Sequence, residues 1–165
     1  MRGLFLFLVG GLFFLIGCSS VSAEDKAVEI ITAYQKARFE ITQEDLAIEN
    51  KDDLYPLIEE RVKPYLTERA FQNSFFRNRD GYYIVASAKL NHKIQIKEIR
   101  IKELVADETK ASYSIDYTLV VEIASSDRKK VVTSELPAQV TIVQDGDTWK
   151  IDRYWESIRA GDLDM

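Results

Sequence analysis

The 165-residue chain is poor in the residues that most often carry chemistry: one cysteine, one histidine and two methionines. A lone thiol, Cys18, cannot close an internal disulfide, so stability has to come from packing even in an oxidising compartment. With His92 the only imidazole, zinc sites and His-dependent nucleophilic triads have too few parts, and His92 reads as a loop or strand-start residue. Basic side chains are outnumbered, 22 to 27, giving a formal charge of −5. That balance argues against nucleic acid, whose binding rests on neutralising phosphates with Lys and Arg. Long runs of one sign, internal repeats and low-complexity segments are missing too, as expected of a solvated globular surface. What the chain does have is 18 aromatic residues, enough to build a core without covalent staples.

Charge is also missing from one stretch, the 21 residues from Gly3 to Ala23. Met1-Arg2 supplies a basic start, the following residues to Gly17 are rich in Leu, Phe, Val and Ile, and small or polar residues follow. That order is a secretory signal rather than part of a folded domain. The tetrad Leu15-Ile16-Gly17-Cys18 resembles the lipobox of bacterial lipoproteins. The resemblance implies removal of residues 1–17 and a diacylglycerol, completed by fatty acids such as palmitate, on the thiol of Cys18. Two other readings stay open: an uncleaved anchor, since 21 residues at about 1.5 Å each can span a bilayer, and simple secretion, which would leave an odd cysteine. All three put the folded part outside the cytoplasm. Residues 18–23 then form a tether, 24–158 one domain and 159–165 a loose tail. The mature chain carries 21 basic and 27 acidic groups, a formal charge of −6.

The period of the apolar residues changes half-way. Ala27, Ile30/Ile31, Tyr34, Ala37 and Ile41 keep the three-to-four spacing of one buried helix face, with Glu24 and Asp25 at the positive end of the dipole. Thr42 to Asp45 can cap a further turn. A second helix carries Leu54, Leu57/Ile58, Val62 and Tyr65 and should end or kink at Pro64. Thr67 can cap a third, through Ala70, Phe71, Ser74 and Phe75, ending near Asp80-Gly81. Residues 82–88 read as an edge strand. The 93–105 strand shifts parity between Ile94/Ile96 and Ile99/Ile101, the mark of a β-bulge. A strand over 112–123 places Ile115, Tyr117, Leu119, Val121 and Ile123 on one face. Further strands follow over 131–144 and 149–155, joined by the hairpin signal Asp145-Gly146-Asp147. In the last strand Trp149, Ile151, Arg153 and Trp155 alternate against Lys150, Asp152 and Tyr154, which predicts both tryptophans in or beside the core.

Helices first, then long hairpins, predict an α+β fold: two or three N-terminal helices packed on a bent antiparallel sheet of four or more strands. The segment from Val62 to Thr67, the bent strands and the closing Asp145-Gly146-Asp147-Thr148-Trp149-Lys150-Ile151 resemble the nuclear transport factor 2-like superfamily, with a cystatin-like arrangement as the alternative. The resemblance implies a conical space between sheet and helices. Some members are isomerases or hydrolases that keep Asp or Glu with Tyr or Arg inside the cone. Asp116, near Tyr117, Arg153 or Tyr154, would be the corresponding group here, yet strand alternation puts Asp116 on the face opposite Ile115 and Tyr117. No catalytic motif of those branches matches residue by residue, so no catalytic residue is assigned.

Asp145, Asp147 and Glu156 echo a calcium loop only faintly, because Lys150 stands where its glycine belongs and Trp149 where an oxygen ligand belongs. No metal or cofactor is expected. Tyr34, Tyr55, Tyr65, Phe71, Phe75, Phe76, Tyr82 and Tyr83 are mostly core, with a minority left for a pocket mouth or partner surface. Arg69, Arg77 and Arg79 beside Phe75-Phe76, and Arg128-Lys129-Lys130 in a hairpin loop, read as solvated faces. The expectation is a non-catalytic, lipid-anchored module that meets an envelope protein or a small apolar ligand, with a small carboxylate-dependent enzyme as the alternative.

Overall fold

The segment from residue 23 to residue 39 forms a helix because every third or fourth side chain is apolar. The computed structural model describes residues 23–76, 81–125, 127 and 129–157. Cys18, Arg77, Arg79, Arg128 and the expected tail lie outside them, as does the boundary at Ile158. Helix α1 (Ala23–Phe39) buries Ala27, Ile31, Tyr34 and Phe39, and closes with Lys36 and Arg38 against its negative end. Helix α2 (Gln43–Ala47) starts with a capping box. The Asp45 N–H donates to Thr42 Oγ1 at 3.2 Å and the Thr42 N–H to Asp45 Oδ2 at 2.9 Å. Helix α3 (Leu54–Val62) buries Leu54, Ile58 and Val62 but leaves Leu57 exposed. At Pro64 it tightens into a 3₁₀ turn, Lys63–Tyr65.

Thr67 then does what its position suggests, accepting from the Ala70 N–H at 3.1 Å to start α4 (Glu68–Ala70). The helix widens at once into a π-helical turn over Phe71–Phe76. The strand expected over 82–88 is instead helix α5 (Tyr82–Lys89), which buries Ile84, Val85 and Ala88. The local preference of Tyr-Tyr-Ile-Val for strand yields to a tertiary seat, since Ile84, Val85 and Ala88 share one helical face. Asn91, at φ 55°, stops the helix in the left-handed conformation that asparagine tolerates, and its N–H donates to the Ala88 carbonyl at 2.9 Å.

Four antiparallel strands follow in sequential order: β1 (His92–Asp107), β2 (Ser112–Ser125), β3 (Val131–Asp145) and β4 (Thr148–Glu156). The parity shift in β1 is real and occurs twice. Pairing with β2 slips between Ile96 and Glu98 and again between Ile101 and Glu103, leaving Lys97 and Lys102 as the extra residues. Ile94, Ile96, Ile99, Ile101 and Leu104 therefore all face the helices, at alternating steps of two and three residues. Gly146, at φ +62°, is the first residue of the two-residue turn between β3 and β4, where only glycine turns freely. The helices cover one face of the sheet, and the core lies between them. Among its fully buried members are Tyr34, Phe39, Phe75, Ile115, Tyr117, Leu119, Ile123 and Ile151. The architecture is α+β, with helices preceding a bent four-stranded antiparallel sheet.

The last strand departs from the expected alternation. Pairing between β3 and β4 slips at Thr141/Ile142, where Ile142 faces Ile151 and Thr141 faces Arg153, so Asp152 is the bulged residue. Trp149 and Ile151 point into the core as expected, and Trp149 packs on Tyr113 with ring centroids 5.1 Å apart. Past the bulge the faces exchange. Tyr154 turns inward, and Trp155, 56% exposed, turns to solvent. The bulge is held from outside the sheet. Leu66 bridges Ile151 in parallel and the Thr67 N–H donates to the Ile151 carbonyl at 2.9 Å. Thr67 Oγ1 donates to Asp152 Oδ1 at 2.9 Å, and Arg69 Nε reaches the same oxygen at 3.2 Å.

Candidate functional site

The sheet separates the residues that sequence reasoning grouped around Asp116. Asp116 lies on the face away from the helices and accepts from Gln139 Nε2 at 3.3 Å across the β2–β3 pair. Arg153 shares that outer face. Tyr117 and Tyr154 lie on the other side, among the core residues. The combination of a carboxylate with Tyr117 is therefore not formed at Asp116, as strand alternation implied. For β4 the alternation is reversed: the bulge at Asp152 takes Tyr154 inward, away from Asp116, and leaves Arg153 on the outer face instead of the core side.

A different carboxylate sits inside. Glu156, the final residue of β4, has its side chain 3% exposed, as has Arg38 on α1. Arg38 Nη1 donates to Glu156 Oε2, and Gln35 Nε2 donates to Glu156 Oε1. The same Gln35 nitrogen donates to Tyr117 Oη at 2.6 Å. The Arg38 guanidinium also lies over the rings of Phe39, Tyr34 and Tyr154, at 4.7, 5.9 and 5.5 Å from their centroids. Burial, reinforced by the negative charge of Glu156, pushes the Tyr117 phenol well above its ordinary value, so it stays protonated at any physiological pH. Both oxygens of Glu156 already accept from fixed donors. The arrangement ties α1 to the end of the sheet and neutralises a buried charge, as burial requires.

Sequence reasoning missed this cluster. Its signal was Ile31, Gln35 and Arg38 at steps of four and three on the buried face of α1, where two polar residues occupy core spacing. Glu156 stands near Asp145 and Asp147 in the sequence, but the whole of β4 separates it from them. Asp145 instead pairs with Lys150 at 2.8 Å. His92 opens β1, as expected.

On the outer face, two cross-strand rows run side by side: Asp116–Gln139–Trp155 and Ser114–Thr141–Arg153. Together they floor an open depression of about 350 Å³ next to the Asp152 bulge. A second depression, about 440 Å³, is lined by Lys63, Pro64, Phe71 and Lys150 among others. Lys63 Nζ stands 5.3 Å from the centroid of the Phe71 ring there. Of the basic-aromatic surface considered near Phe75, Arg69 is engaged by Asp152 and Phe75 is fully buried. Tyr82 and Tyr83 are exposed on the first turn of α5. Among the described residues no group of three His, Cys, Asp or Glu side chains converges on one point. No helix among them is long and apolar enough to cross a membrane.

Likeness to solved structures lies in the fold, not in the residues. A periplasmic fragment of TraM superposes with a TM-score of 0.56 at 10% identity, over 81% of this chain and 96% of that one. The periplasmic domain of DotI gives a TM-score of 0.59 at 9% identity, over 84% of this chain and 98% of that one. No protein-family model and no curated protein matches the sequence. At such identities the shared property is the order and packing of helices and strands. That order is common to nearly the whole of both periplasmic domains.

Proposed function

We propose that this chain is a lipid-anchored, extracytoplasmic and non-catalytic module of the cell envelope, attached through Cys18 and offering its sheet surface to a ligand or envelope partner. The observation that carries the reading is the fold it shares with two periplasmic domains, each covered almost end to end. The uncharged leader ending in Leu15-Ile16-Gly17-Cys18 agrees with it. Two acyl chains, at about 0.8 kcal/mol per buried methylene, are what stable anchoring requires. The partners in this reading are the membrane, through Cys18, and an envelope protein or small ligand; nucleic acid is not among them. We read the helices-then-sheet arrangement as nuclear transport factor 2-like rather than cystatin-like, because several helical segments cover the sheet in place of one. The interior supports the non-catalytic reading. Glu156 has the residue types sought for a proton-transfer site beside it, but both its oxygens are spent on Arg38 and Gln35.

The test is the mass of the mature N-terminus. The full chain, expressed in a bacterium with intact lipoprotein processing and extracted in detergent, should begin at Cys18 and carry a diacylglyceryl group. Cys18→Ser should accumulate unprocessed. A chain that still starts at Met1 with a free thiol defeats the anchoring part of the reading. Turnover of a small substrate abolished by Glu156→Gln in a folded variant defeats the non-catalytic part.

A further inference from the structure

The depression on the outer face of the sheet has an unusual composition. Trp155 is 56% exposed. Its cross-strand neighbour is Gln139, which is bonded in turn to Asp116. The adjoining row supplies two hydroxyls and a guanidinium, from Ser114, Thr141 and Arg153. All six residues line one depression of about 350 Å³, toward the small end of the roughly 300–1,000 Å³ typical of small-ligand sites.

These groups select for a particular chemistry. A protein hot spot sets its aromatic anchor in a desolvated, well-packed pocket. Here the neighbours of the indole are planar amide, carboxylate and guanidinium groups with hydroxyls behind them. Asp116 and Arg153 bring one charge of each sign, so the surface has no net attraction for an anion or a cation. A ligand suited to it has a flat apolar face to lay on the indole and a fringe of neutral groups that both donate and accept. Asp116 can only accept, Arg153 only donate, and Gln139, Ser114 and Thr141 can do either. A pyranose ring meets every condition: axial C–H bonds make its apolar face, and equatorial hydroxyls make its fringe. Rigid strands hold the site, and the bulge at Asp152 is what turns the indole outward.

The geometry points to a carbohydrate-binding site on the outer sheet face, in which Trp155 stacks on a sugar ring while Asp116, Gln139 and Arg153 bind its hydroxyls, the ligand being a neutral oligosaccharide. This deepens the reading of the chain as a binding module. It does not depend on the lipid, so the mass of the N-terminus and the sugar titration can fail separately.

The experiment titrates the full chain, held in a zwitterionic detergent free of sugar headgroups, with the tetrasaccharides of N-acetylglucosamine, cellulose and starch. The two indole N–H resonances are followed by NMR, with Trp155 assigned by its loss in Trp155→Phe. One of the three sugars should shift the Trp155 signal saturably at millimolar concentration and leave that of Trp149 in place. Trp155→Ala should weaken binding roughly tenfold or more, the loss expected when one stacked ring is removed. Trp155→Phe should retain part of the affinity and Gln139→Leu should lose most of it, whereas Lys36→Ala, on α1, should change nothing. No response to any of the three sugars overturns the assignment. So does a response that survives Trp155→Ala, or capture of a protein by a photo-crosslinker at position 155 in a chain that ignores the sugars.

Discussion

Arg38 and Glu156, separated by 118 positions in the sequence, form an ion pair inside the protein with each side chain 3% exposed. One stands near the end of the first helix, the other at the end of the last strand. Removing either leaves the other charge buried and unpaired, so Arg38→Ala and Glu156→Ala should each cost about 3–5 kcal/mol. The paired replacement Arg38→Met with Glu156→Leu should recover most of that loss, because the burial of charge goes with the pair. Urea unfolding of the full chain in detergent measures both. A single-variant loss within about 0.5 kcal/mol, the range of an ordinary surface change, would mean that the pair does not close in solution.

Asp45 gives the stability a pH dependence. Burial pushes its carboxyl up, but hydrogen bonds from Arg61 and the Thr42 N–H, with the positive charge of Arg61, bring it net below the ordinary 3.8. A folded-state value below the unfolded one means that the carboxylate stabilises fully above about pH 4 and loses its contribution as the pH falls through the lowered value. Asp45→Asn should therefore lower stability at pH 7 and flatten its decline below pH 4. With Arg61 36% exposed, the loss at pH 7 should be about 1–2 kcal/mol. Unfolding curves of both proteins that fall in parallel below pH 4 would assign the acid dependence to other groups.

The two tryptophans should answer oppositely to truncation. Trp149, half-buried against Tyr113, should cost about 2–3 kcal/mol as alanine, short of the 3–5 typical of a full core position. Trp155→Ala should stay within about 0.5 kcal/mol, as surface positions do. Equal losses would show that the faces do not exchange at Asp152.

Gly146 isolates a backbone effect. Nothing lies within 4 Å of the place a Cβ would take, yet its φ is +62°. Gly146→Ala should therefore destabilise by about 1 kcal/mol through conformation alone. Gly146→Asn should lose less, since asparagine tolerates that region. An alanine variant as stable as the parent would indicate a different turn.

What could be read from the sequence was what neighbours along the chain decide. The face of α1, the Thr42 and Thr67 caps, the stop at Pro64, the parity slip in β1 and the Gly146 turn are all local, and each is found in the structure. The misreadings fall where a distant contact overrides local preference. Tyr82–Lys89 has the composition of a strand and becomes a helix because Ile84, Val85 and Ala88 have somewhere to be buried. Asp152 bulges because Thr67, Arg69 and the Leu66 bridge hold it from another part of the chain, and that one extra residue sends Tyr154 inward and Trp155 outward. The Glu156 cluster was hidden for the same reason: its members come from α1, β2 and β4, and no spacing along the chain connects them.

The two slips in β1 bear on how the protein tolerates crowding. β1 borders the sheet, and a straight sixteen-residue border would offer a ladder of unpaired amides and carbonyls to any neighbouring chain. Lys97 and Lys102 divide it into 92–96, 98–101 and 103–107, each twisted away from the next and each division marked by a positive charge. A second copy cannot dock a strand along more than one of these segments without kinking at the same places or burying a lysine. Growth by adding strands along β1 is thereby hindered in the folded state.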